Sequence, residues 1–112
     1  MIPRRSKYGA VRTMVDGVTF ASKKEARRYQ ELRLLERAKR ISHLTLQPRY
    51  PLIAMRGTSF KKTIGAYVGD FAYYDEDAQV WVTEDVKGVK TPLYRWKKRH
   101  VEAQYGIEIR EV

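Results

Sequence analysis

The chain contains no cysteine. Disulfide frameworks, zinc-thiolate sites, iron–sulfur clusters and thiol nucleophiles are excluded together, and a reducing cytoplasm is the expected compartment. Histidine is nearly as scarce: His43 and His100 stand far apart with no third partner, a poor basis for a triad or a histidine metal site. No apolar run approaches the roughly 20 residues of a membrane helix, and the opening Met1-Ile2-Pro3-Arg4-Arg5-Ser6-Lys7 lacks the apolar stretch of a signal peptide. No membrane role is expected. Acids are few as well, because 13 Asp and Glu against 23 Lys and Arg leave a formal charge of +10 on 112 residues. Such a body suits a polyanion, nucleic acid first. Hydrophobic residues at 43% still suffice for one globular domain.

The first seven residues read as a basic arm. Asp16-Gly17 between two β-prone runs predicts a β-hairpin. Ser22-Lys-Lys-Glu25 is a capping-box pattern, and Ala26, Tyr29, Leu32, Leu35 and Ala38 continue at helical spacing to about Arg40. Residues 44 to 55 alternate imperfectly around Pro48 and Pro51, which predicts an edge or bulged strand, and 56 to 62 reads as a loop. Residues 64 to 74 and 80 to 87 read as the two strands of a second hairpin. Thr91-Pro92 opens a helix, Gly106 stops it, and the alternation of 107 to 112 closes the chain as a strand. The body is therefore α/β, a mixed sheet flanked by helices and preceded by a hairpin. Trp81, Trp96 and the tyrosines are assigned to the core rather than to base stacking.

Asp70, Asp75, Glu76, Asp77, Glu84 and Asp85 all fall in the one hairpin of an otherwise basic chain. Along 80 to 87 the period of two puts Asp85 and Lys87 on one face and Glu84 on the other, so Asp85 is preferred over Glu84 unless a bulge exchanges them. Asp70 occupies an even-numbered position among Ile64, Val68 and Ala72, where an unpaired carboxylate is costly and a cation removes the cost. Glu25 shares a helical stripe with Tyr29 and Leu32 and so leans toward the sheet, whether or not it also caps the helix. Such carboxylates suit a hard divalent ion such as Mg²⁺.

Asp70, then Asp85-Val86-Lys87 on the next strand, preceded by a helix carrying Glu25, resembles the PD-(D/E)XK nuclease superfamily. The phrases Phe20-Ala-Ser-Lys-Lys-Glu25-Ala-Arg-Arg-Tyr29, Leu46-Gln47-Pro48, Gly69-Asp70-Phe71 and Glu84-Asp85-Val86-Lys87-Gly88 look more narrowly like a small phage-encoded family of uncharacterised nucleases. Gly69 stands where the superfamily has its proline. The resemblance implies a restriction-endonuclease-like core of helix, three strands, helix and strand across residues 22 to 112, with 1 to 21 as an extension of the one domain.

It also implies a hydrolase: a Mg²⁺-dependent DNA endonuclease, Mn²⁺ substituting, with Asp70, Asp85 and Glu25 toward the metal and Lys87 beside the attacking water. Lys23, Lys24, Arg27, Arg28, Gln47, Lys90, Arg95, Lys97 and Lys98 are the candidate DNA contacts. The family analogy favours a Holliday junction or other branched DNA, cut by a homodimer during phage recombination, with a recombination or packaging partner in view. The competing expectations are a basic nucleic-acid-binding protein without catalysis, and a nicking or transposase-like subunit that needs a partner.

Overall fold

The computed structural model of the protein describes residues 11–86 and 90–112. The elements run β1 (Thr13–Val15), β2 (Val18–Phe20), α1 (Lys23–Arg37), β3 (Ile41–Leu46), β4 (Arg49–Arg56), β5 (Phe60–Val68), β6 (Phe71–Asp75), β7 (Val80–Asp85), α2 (Pro92–Tyr105) and β8 (Glu108–Glu111). The fold is a small mixed α/β domain. Its central sheet has the order β3-β6-β7-β8, antiparallel except for the parallel β7–β8 pair. β1–β2 and β4–β5 form separate two-stranded ribbons. No helix among the described residues is long and apolar enough to cross a membrane.

Local chemistry explains most of these boundaries. Asp16 and Gly17 both take positive φ, as the tight turn of β1–β2 requires. The Ser22 hydroxyl accepts the Glu25 N–H at 3.1 Å to cap α1, and Thr91 does the same for Tyr94 ahead of Pro92 in α2. Gly106, at φ 64°, ends α2 in the left-handed conformation that glycine adopts without a Cβ penalty.

Two cores lie on opposite faces of the sheet. α1 covers one, where Ala26, Tyr29 and Leu32 meet Phe20, Ile41, Phe71, Tyr73 and Val82. The other joins α2 to the base of the β4–β5 ribbon through Leu52, Tyr67, Tyr94, Val101 and Ile109. Burying these side chains is worth roughly 1.5–3 kcal/mol each, which fixes the sheet between its two covers.

Four expectations need correction. Residues 44 to 55 are not one strand, because β3 ends at Leu46 in the central sheet and β4 begins at Arg49 in the separate ribbon. Residues 56 to 62 are not a loop, since only 57 to 59 turn and the flanking residues pair from Arg56↔Phe60 onward. Residues 64 to 74 are not one strand, because the chain leaves one sheet at Val68, bends through Gly69 and Asp70, and enters another at Phe71. Both tryptophans lie outside the core, with Trp81 53% and Trp96 52% exposed. The expected basic arm at residues 1 to 7 lies outside the described residues.

Candidate active site

The bend between β5 and β6 sets the position of Asp70. Its backbone N–H donates to the Glu84 carbonyl at 3.0 Å, and its carbonyl accepts the Gln47 N–H at 2.9 Å. Gly69 donates its N–H to the Pro48 carbonyl at 3.0 Å. A Cβ built on Gly69 would lie 2.6 Å from the Thr83 methyl, so only glycine fits this crossing without displacement. A proline there would also lack the N–H given to Pro48.

Glu84 and Asp85 have separate roles. Glu84 points toward α1, where Arg28 grips it through Nε at 2.7 Å and Nη2 at 2.6 Å, and the Tyr73 hydroxyl donates a third bond. Such a fork-to-carboxylate pair is geometrically specific and charge-assisted. Asp85 takes the opposite face and accepts from the Tyr67 hydroxyl. Its neighbour Thr83 exchanges a hydrogen bond of 2.7 Å with Tyr50 on that same face. The alternation read from the sequence therefore holds without a bulge in β7.

Asp85, Asp70 and Glu25 form one electrostatic patch. The carboxyl of Asp70 is pushed up to about 7, first by burial, then by the negative charges of Glu25 and Asp85, and by a side-chain hydrogen bond to Asp85. The Val86 N–H opposes this by donating to its Oδ2 at 2.6 Å. Glu25, only 8% exposed, is raised by burial and by Asp85, against a backbone N–H from Ala21. Three side chains from the first turn of α1, the β5–β6 bend and the end of β7 thus share one small region, though far apart in sequence.

These donors fit a hard divalent ion in kind, being carboxylate oxygens that a cation would relieve of mutual repulsion. As they stand, no group of three or more His, Asp or Glu among the described residues is arranged to hold one. Asp70 and Asp85 are joined to each other instead. Lys87, the expected lysine of the motif, lies outside the described residues.

The expected DNA contacts divide. Lys23, Lys24 and Arg27 are exposed beside Glu25 on α1, and Gln47 is exposed next to the Asp70 bend with φ 49°. Arg95 is exposed on α2 and Lys97 is half-buried. Lys90 and Lys98 both pair with Glu111, at 3.3 and 3.0 Å. The Arg28 guanidinium is engaged by Glu84 and by Glu31 at 2.8 Å, contacts within the chain itself. Tyr67 and Tyr73 carry no local sequence signal, since a tyrosine aimed at a distant carboxylate leaves no local pattern.

No curated protein and no solved structure matches the chain. The sequence profile of one family, described as a protein of unknown function (DUF1064), matches residues 5–111, and the chain belongs to that family.

Proposed function

We propose that the protein is a Mg²⁺-dependent endonuclease that hydrolyses DNA phosphodiester bonds, with branched DNA as the preferred substrate. The observation that carries the reading is the convergence of Glu25, Asp70 and Asp85, buried or half-buried carboxyls of which two have raised affinity for protons. Such a cluster is costly for stability alone and is a common mark of a functional site. Topology adds support, because α1, then β3, β6 and β7, then α2 and β8 repeat the helix, three-strand, helix, strand order of the nuclease core, with β4–β5 as an insertion. The charge of +10 supplies the general affinity for phosphate.

Asp70 and Asp85 would hold the ion, with Glu25 completing the set. When bound, Mg²⁺ supplies Lewis acidity, lowering the pKa of water and offsetting charge on the reacting phosphate. The chain's own residues do the rest. Val86 fixes one oxygen of Asp70, and the Tyr67 hydroxyl orients Asp85. Lys87 follows from the motif as the cation beside the attacking water. Lys23, Lys24 and Arg27 border Glu25 and face solvent, where they suit a phosphate backbone. A symmetric cut across a junction would use two copies of the chain.

The test is cleavage of labelled four-way junction, flap, single-stranded and linear duplex DNA with Mg²⁺ or Mn²⁺, using wild type, Asp70→Asn, Asp85→Asn and Lys87→Ala. Metal-dependent cutting lost in all three variants, with DNA binding retained, upholds the proposal. Folded protein that binds these DNAs and cuts none of them, with or without metal, overturns it in favour of a binding module.

A further inference from the structure

The β4–β5 ribbon is larger than its role in the core requires. Its base, from Tyr50 to Leu52 and from Gly65 to Tyr67, covers α2 and the sheet. The Ile53 N–H donates to Gln104 at 3.0 Å, the Ile53 carbonyl accepts from His100 at 3.2 Å, and the Tyr105 hydroxyl donates to the Pro51 carbonyl at 2.7 Å. The register shifts at Leu52/Ile53, as a bulge that re-aims the strands would make it do. Beyond that point the ribbon emerges from the domain, and every residue from 55 to 65 is exposed. Met55, Phe60 and Ile64 stand about half in water there, without a buried face to join.

Charge separates the possible partners. Between Leu44 and Gly69 there is no Asp or Glu, while Arg49, Arg56, Lys61 and Lys62 are present, and all four are exposed. Cross-strand pairing puts Arg56 opposite Phe60, and Met55 opposite Lys61, so each face of the arm carries both a cation and an apolar group. Two such arms would repel each other as an exchange interface between copies of the chain. A polyanion with an apolar interior meets both halves of the pattern. Beyond Ile53, which α2 still holds, Ala54 to Arg56 extend the arm by about 10 Å, and the major groove of duplex DNA is about 8.5 Å deep and admits a two-stranded ribbon.

We infer that the β4–β5 arm is a second DNA-binding element that enters a groove of duplex DNA, with Arg56, Lys61 and Lys62 on the flanking phosphates and Phe60 against the base edges. The inference takes from the proposed function that the polyanion is DNA, and it names the duplex as what the site is offered. β5 leads through Gly69 into Asp70, and Tyr67 at the arm's base bonds Asp85. The arm therefore positions a duplex relative to the carboxylates.

The test is binding without turnover, by fluorescence anisotropy in EDTA, on a labelled duplex and a single strand of equal length. Three proteins are compared: wild type, R56Q/K61Q/K62Q, and R37Q/K39Q/R40Q, which removes the same charge from exposed positions at the end of α1 and just after it. The arm variant should lose on the order of tenfold or more in duplex affinity near physiological salt, with the salt slope falling by about 2 to 3. The α1 variant and single-strand binding should change less. Phe60→Ala should weaken duplex binding without changing the salt slope. An arm variant that binds duplex no worse than the α1 variant overturns the inference, and so does an equal loss on single strands. Cleavage plays no part in this readout, so failure here is distinguishable from failure of the nuclease reading.

Discussion

Glu84 and Asp85 are consecutive, both no more than 1% exposed, and serve opposite faces of the sheet. Arg28 and Tyr73 hold the first, while Tyr67 meets the second beside Asp70. Two adjacent acids thus separate a scaffold contact from the carboxyl cluster proposed as the site. Glu84→Ala should lower the unfolding free energy by about 3 kcal/mol, the low end for a broken buried pair, because Arg28 keeps partial access to water. Asp85→Asn should leave stability within about 1 kcal/mol of wild type or above it, while ending cleavage. Urea denaturation of both variants checks the division, and equal destabilisation would refute it.

Asp70 gives the stability a distinctive pH dependence. A carboxyl raised on folding contributes stability that is complete below its unfolded pKa and is lost as pH rises through about 7. Without divalent ions, Asp70→Asn should therefore melt at a higher temperature than wild type at pH 8, with the gap closing toward pH 4. Scanning calorimetry across that range is the measurement. A gap that widens on acidification would contradict the assignment.

Ion and proton compete for the same oxygens. Mn²⁺ binding at pH 6 should release protons from Asp70, and the release should fade by pH 8.5, where Asp70 is already ionised. Calorimetric titration in buffers of different ionisation heat reads this directly. Affinity that does not rise between pH 6 and 8 would count against these ligands.

Gly69→Ala should cost about 1–3 kcal/mol, because the new methyl meets Thr83 inside a packed region. Thr83→Ser removes the opposing methyl while keeping the hydroxyl that meets Tyr50. The double variant should recover much of the loss, a coupling that a double-mutant cycle measures. Additive effects would mean the strain lies elsewhere.

How much of this was legible in the sequence followed the range of the interaction. Asp16-Gly17, Ser22, Thr91-Pro92 and Gly106 act on neighbours, and each marks a boundary where expected. The parity of β7 is equally local and separated Asp85 from Glu84 correctly. For Asp70 the alternation from Ile64 predicts one continuous strand, whereas β5 ends at Val68 and a bend, not strand parity, sets its position. The β4–β5 arm escaped notice because neither face of its outer half is buried, so no apolar alternation marks it. Arg28 and Glu84 lie too far apart in sequence for any local pattern to join them.

The contrast between the ribbon and the sheet also sets an order of assembly. Arg56 meets Phe60 across a short turn, whereas Ile41 must find Asp75 and Val82 must find Glu108. Local pairing closes early, and distant or parallel pairing comes late because loop entropy must be overcome first. Pulse-labelled hydrogen exchange should accordingly protect the arm's amides before those of β8. Asp70 and Asp85 are brought together by the short-range β6–β7 hairpin, whereas Glu25 joins them only when α1 docks on the sheet, so a partly folded chain holds an incomplete set of carboxylates.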